Sequence, residues 1–136
     1  MLLSEQDMFS DAQAIGTDIG NTNSEDVLDW AAHGDDVGRF LSLFIMLTNT
    51  AASNGASTLT ITWQTSANGT DYSTIATYGP FALADLASGK YLVNGEPLPK
   101  GILKYNKLVY AGGGANFTTA PIVTAGIVRN DVPIER

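Results

Sequence analysis

Apolar and polar residues alternate along much of this chain with a period of two, and this limits the possible folds more than any other feature. The segment 58–65 reads TLTITWQT, so Leu59, Ile61 and Trp63 point to one side of an extended strand while threonines point to the other. Asn68-Gly69 then forms a turn signal, after which the alternation resumes. The pattern predicts a β-hairpin with one buried face.

Similar runs recur at intervals of roughly 8–12 residues, separated by Gly, Asn, Pro and Ser, which is typical of β-sandwiches and barrels. We therefore predict an all-β, antiparallel β-sandwich, jelly-roll-like, with about eight short strands. The predicted strands lie near 12–16, 26–30, 39–48, 58–65, 72–78, 91–93, 103–110 and 121–129.

Two local segments need a separate interpretation. Residues 82–87 (ALADLA) are compatible with a single helical turn, and Gly112–Gly114 is interpreted as a tightly turned hairpin with close backbone approach to a neighbour. With 136 residues of which 44% are hydrophobic, the chain can bury one core, so 1–136 is expected to form a single domain. Residues 1–11 and 130–136 are predicted to be extended arms.

The strand predicted at 39–48, RFLSLFIMLT, is apolar on both sides. Its alternate residues from Leu41 to Leu47 fill one face, so the strand is expected to be either a central strand covered on both sides or one whose other face is covered by another subunit. The two arms also carry apolar side chains beside charges. The predicted oligomer or partner interface consists of Phe40, Phe44, Met46, Leu2, Leu3, Met8, Phe9, Val132 and Ile134.

Catalytic chemistry has few candidate residues here. The chain has no cysteine, and its one histidine, His33, lies in DWAAHGDD at 29–36. Asp29, His33, Asp35 and Asp36 lack the alternating oxygen ligands and closing glutamate of a calcium loop, so we interpret the segment as an exposed turn. No nucleophile elbow is present for a serine triad. We predict that the protein is not an enzyme and uses no metal or cofactor.

Charge and hydropathy exclude further classes of partner. The net charge is −7, and nine acidic residues precede the first basic one, Arg39. Nucleic-acid binding requires lysines and arginines to neutralise phosphates, so no such partner is expected. The chain shows no secretory signal and no apolar run of about 20 residues, so no membrane partner is expected either. Trp30 and Phe44 remain aromatic candidates for a sugar-stacking platform or a protein interface.

Four segments together resemble small capsid cement proteins, the head-stabilising or decoration proteins of tailed bacteriophages. They are LLSEQDMFSDAQAI at 2–15, DVGRFLSLFIMLT at 36–48, LPKGILKYNKLVYAGGG at 98–114, and PIVTAGIVRND at 121–131. The resemblance implies a jelly-roll protein that forms a homo-oligomer, a dimer or trimer, on the outer capsid surface of the virion. It also implies synthesis in the bacterial host cytoplasm and binding to the major capsid protein, whose neighbouring subunits it would bridge.

Two other functions stay open on the sequence. A carbohydrate-binding module would stack exposed aromatic rings on sugars, and a neck or tail virion component would use the same fold elsewhere in a particle. Sandwiches host all three functions, so the fold alone does not separate them.

Overall fold

The computed structural model of the protein describes residues 8–17, 20–29, 41–97 and 101–129. These residues form strands and one short 3₁₀ helix, Leu83–Asp85, which confirms the helical turn predicted at 82–87. No helix in the described ranges is both long and apolar enough to cross a bilayer. The strands are β1 (Met8–Ala14), β2 (Asn21–Asn23), β3 (Leu28–Asp29), β4 (Leu41–Leu47), β5 (Ala52–Ser53), β6 (Ser57–Ser66), β7 (Ser73–Ala82), β8 (Tyr91–Pro97), β9 (Tyr105–Gly114), β10 (Phe117–Thr119) and β11 (Ile122–Arg129).

The strands form two main antiparallel sheets and a small β10-β5 pair. The first sheet has the order β1-β11-β4-β8, and the second has the order β2-β9-β6-β7, with β3 also paired to β9. Setting aside the short strands β3, β5 and β10 and renumbering the other eight along the chain gives orders 1-8-3-6 and 2-7-4-5. This is the strand arrangement of a jelly roll, so the predicted antiparallel sandwich is confirmed.

The core lies between the two sheets and follows the predicted alternation. Leu59, Ile61 and Trp63 of β6 are fully buried, while the threonines between them are half-buried on the outer face. From the first sheet, Phe9 of β1 meets Trp63 edge-on, with ring centroids 5.1 Å apart. Edge-to-face packing of this kind adds to the stability gained by burying both rings.

Two buried polar contacts accompany this apolar core. The Trp63 indole donates to Asn106 Oδ1 at 3.0 Å, and Asn106 Nδ2 donates to the carbonyl of Leu103 at 3.0 Å. Asn106 is fully buried, so these bonds offset the cost of removing its amide from water.

A series of side-chain hydrogen bonds also joins the two sheets. Ser10 of β1 donates to Gln13 Oε1 at 2.6 Å, so the Tyr110 hydroxyl, 2.7 Å from Ser10, is the donor in that pair. Burial raises the pKa of Tyr110, which keeps this hydroxyl protonated. Gln13 also accepts the backbone N–H of Glu25 at 2.9 Å, which fixes the connection between β2 and β3 to β1.

The structure corrects the predicted N-terminal arm. Residues 8–11 belong to β1, which pairs with β11 and completes the first sheet. Phe9 is part of the core, and Met8 is only 8% exposed, so neither is an anchor on a free arm. The remaining arm residues of the prediction, with Leu2, Leu3, Val132 and Ile134, lie outside the described residues.

The predicted hairpin at Gly112–Gly114 is wrong. All three glycines lie in β9 and pair with Leu59, Thr58 and Ser57 of β6. The expected close backbone approach is confirmed, because a Cβ on Gly114 would overlap the carbonyl oxygen of Ala56. Glycine in a strand often marks such a contact.

Candidate interaction surface

The outer face of the first sheet, which is the side that faces away from the core, carries large apolar side chains. On β4, Leu43, Ile45 and Leu47 are fully buried in the core, while Phe44 and Met46 point to the opposite face and are half-buried. The prediction that this strand is apolar on both faces is therefore confirmed for these residues.

Phe44 has two neighbours on β8. Its ring meets that of Tyr91 edge-on, with centroids 6.2 Å apart and an interplanar angle of 73°. A Cβ placed on Gly95 would lie 3.4 Å from Cζ of Phe44, so the ring packs closely over that glycine. Tyr91 is itself opposite Met46 in the register and remains 42% exposed. We call Phe44, Met46 and Tyr91 the outer apolar surface.

The register places the row of Phe44 beside β11 and β1. Gly126 of β11 stands between Phe44 and Met8, so no side chain separates these two positions along the row. Met8 is buried and does not belong to the interior cluster, in contrast to Phe9 beside it. Met8 and Gly126 are both buried, so the outer apolar surface does not extend to them.

The outer face of the second sheet has a different chemistry. Its side chains on β6 are polar and half-buried. They are the hydroxyl-bearing Thr58, Thr60 and Thr62 and the amide-bearing Gln64. Such a face is compatible with water, whereas a contiguous apolar patch on a soluble protein marks an interaction site. Of the two outer faces, that of the first sheet is the apolar one and is the candidate for contact with another copy of the chain.

The free edges of the two sheets are poorly suited to adding another strand. The edge strand β1 has pairing irregularities on both sides of Ser10, and Ala12 has a φ of 54°. The edge strands β7 and β8 also have shifted registers, and β7 contains Pro80. Irregular, proline-bearing or short edges resist strand addition. Contacts with other proteins are therefore expected at the faces.

The remaining candidates from the sequence are mostly outside the described residues. Phe40, Trp30, His33, Asp35 and Asp36 lie there, and Asp29 ends β3. Within the described ranges, no three His, Asp or Glu side chains come together to hold a metal ion. Sequence reasoning missed Tyr91 as a surface residue, because its position beside Phe44 depends on the pairing of β4 with β8.

Comparison with known proteins gives one family. The family model described as Bbp16 matches residues 9–131, which is most of the chain. The family's name points to a phage-related protein and does not mention a capsid role. No curated protein matches the chain.

Proposed function

The chain belongs to the Bbp16 family, and on this basis we propose that it is a structural phage protein that binds the outside of an assembled capsid. In this role it stabilises contacts between major capsid subunits as a homo-oligomer, without catalysis or a cofactor. The all-β sandwich and the sequence resemblance to capsid cement proteins support the proposal. The protein would be made in the bacterial host cytoplasm and act on the virion surface.

The observation that carries this proposal is the outer apolar surface. Phe44, Met46 and Tyr91 lie on the side of the first sheet that faces away from the core. Aromatic residues and methionine are enriched at protein interfaces relative to the rest of a protein surface. A rigid sandwich with one apolar and one polar outer face is suited to holding protein subunits together.

The direct test is binding to capsids from which the protein has been removed. The purified protein is expected to co-sediment with such capsids and to raise their resistance to heat. A sugar-binding module would instead bind glycans as an isolated domain, and a neck or tail component would bind purified necks or tails in place of the shell. Either of those outcomes, without capsid binding, would contradict the proposal.

Self-association through the outer apolar surface is the first specific prediction. The variant Tyr91→Ser is expected to weaken association of the copies by about tenfold, because tyrosine is enriched among the few interface residues whose truncation costs more than about 1 kcal/mol. Analytical ultracentrifugation over a range of concentrations measures the change. Val27→Ser is the matched control, since Val27 is 46% exposed and lies away from this surface. A wild-type protein that stays monomeric at micromolar concentration would contradict the prediction.

The two terminal segments are proposed to add to attachment. Residues 1–7 and 130–136 contain Leu2, Leu3, Val132 and Ile134 beside charged residues. Contacts made by these segments would enlarge the surface that a small domain covers on its partner. Several weak contacts on neighbouring capsid subunits would reinforce one another through effective concentration.

A further inference from the structure

A group of tyrosines and lysines lies on the outer face of the second sheet, at the end opposite the glycine run of β9. Lys107 lies between the buried residues Asn106 and Leu108, so its side chain faces outward. Its ammonium is 4.3 Å from the ring centroid of Tyr72, and that of Lys104 is 5.0 Å from the ring centroid of Tyr105. We call Tyr72, Tyr105, Lys104 and Lys107 the tyrosine–lysine cluster.

The loop that carries Tyr72 is rigidly built. Ser66 Oγ accepts the backbone N–H groups of Asn68 and Gly69, at 3.1 and 2.9 Å. Asn68 Oδ1 accepts those of Thr70 and Asp71, both at 2.9 Å. The loop also packs on Tyr105, because a Cβ on Gly69 would lie 3.5 Å from that ring. A surface held in this way loses little conformational entropy when a partner binds.

The two rings of the cluster are close enough to influence each other. Partial burial raises the pKa of Tyr72, and the neighbouring Tyr105 raises it further. The Tyr72 hydroxyl is therefore a neutral group that can donate a hydrogen bond to an acceptor such as a carboxylate.

The charge of the cluster stands out in a chain with a net charge of −7. Lys107 has no carboxylate partner among the described residues, whereas Lys90, on the other side of the fold, lies 3.6 Å from Asp85. The nearby carboxylate of Asp71 already accepts a hydrogen bond from Asn68 Nδ2 at 3.1 Å. The Lys107 ammonium lies over the Tyr72 ring and keeps its positive charge, so it can also attract an anionic group that approaches from outside.

Apolar side chains flank the cluster. Leu103 precedes it in the chain, and Val27 precedes β3, which pairs with β9 at Asn106 and Tyr105. Both are 46% exposed, and with Tyr91 they are the large apolar side chains most exposed in the described ranges. Apolar residues beside donors and positive charge form a surface that fits an acidic protein segment with an apolar neighbour.

We propose that the tyrosine–lysine cluster docks on an acidic segment exposed on the outer surface of the capsid shell. This inference rests on the proposed function and names the chemistry of the capsid partner. The cluster and the outer apolar surface lie on opposite outer faces of the sandwich. One face therefore contacts another copy while the other holds the shell, which is the arrangement that a bridging protein needs.

Charge reversal tests this assignment. The variant Lys104→Glu/Lys107→Glu is compared with Lys90→Glu and with the charge-conserving Lys104→Arg/Lys107→Arg, after thermal melting has established that each is folded. Binding to stripped capsids is measured by co-sedimentation at about 0.05 M and about 0.5 M salt. The Glu variant of the cluster is expected to bind about tenfold more weakly at low salt, with a smaller difference at high salt, because screening weakens the attraction that it removes. The Arg variant and Lys90→Glu are expected to bind as the wild type does.

The outcomes separate this inference from the proposed function. If the wild type binds capsids and the cluster variant binds equally well, the docking site is wrong while the capsid role stands. The same conclusion follows if Lys90→Glu, which replaces one lysine, weakens binding by as much as the cluster variant does for each lysine that it replaces. The effect would then reflect the net charge of the protein alone. If the wild type does not bind capsids, the proposed function fails and this inference fails with it.

Discussion

Replacing Phe9 by alanine is expected to lower the free energy of unfolding by about 3–5 kcal/mol, the usual range for deleting a buried phenylalanine ring. Phe9 is fully buried, and it packs edge-on against Trp63 of the opposite sheet. The cavity would open between the two sheets, where both backbones are held by strand pairing and are poorly able to close it. Urea denaturation followed by tryptophan fluorescence or circular dichroism measures the loss.

The control and the truncations make this prediction specific. Tyr91→Ala removes an aromatic side chain that is 42% exposed and should cost the isolated fold far less. Deleting residues 1–7 leaves β1 intact and is expected to preserve stability while weakening capsid attachment. Deleting residues 1–9 removes Phe9 and should destabilise the fold as Phe9→Ala does. A loss below about 1 kcal/mol for Phe9→Ala would contradict the assignment of Phe9 to the core.

The sequence predicted the sandwich because the alternation in its central strands is regular, but it failed at the start of β1. The segment Met8–Ala14 reads MFSDAQA, and its pairing with β11 is irregular on both sides of Ser10. An extra residue in a strand reverses the alternation beyond it, so the period-two signal is lost. The inward position of Phe9 is then set by long-range pairing, which a local pattern does not contain.

The candidate surfaces were predictable only where one strand displays them. Phe44 and Met46 were found because they alternate with core residues on β4. The contact of Phe44 with Tyr91, and the position of Met46 opposite Tyr91, depend on a shifted register between β4 and β8. The tyrosine–lysine cluster likewise joins the loop before β7 to β9, two segments that β6 brings together. Residues that meet only through such non-local pairing carry no shared signal in the sequence.

The glycine run of β9 shows how a local signal can mislead. Three successive glycines indicate a turn when considered alone. Here they are paired with β6, and the close approach of neighbouring groups explains them better: a Cβ on Gly113 would lie 2.9 Å from Thr58 Oγ1. The backbone of Ala56 approaches Gly114 more closely still. This close packing leads to a second stability prediction.

Replacing Gly114 by alanine is expected to lower the free energy of unfolding by about 2–5 kcal/mol. Gly114 has a φ of 79°, a left-handed conformation that costs an alanine about 1–2 kcal/mol. The new methyl group would also overlap the carbonyl oxygen of Ala56, and relieving such an overlap through backbone shifts costs about 1–3 kcal/mol. The loss is measured by urea denaturation of the wild type and the variant under identical conditions.

Gly89→Ala is the matched control for this substitution. Gly89 has the same φ of 79°, but no atom lies within 4 Å of the Cβ that alanine would add. Replacing it by alanine therefore costs the energy of a left-handed backbone conformation, which is partly offset by a less flexible unfolded chain. It causes no overlap with neighbouring atoms. We expect Gly114→Ala to be more destabilising than Gly89→Ala by at least about 1 kcal/mol. Equal losses would mean that the Ala56–Gly114 contact relaxes freely, so that the glycine is required there by its backbone conformation alone.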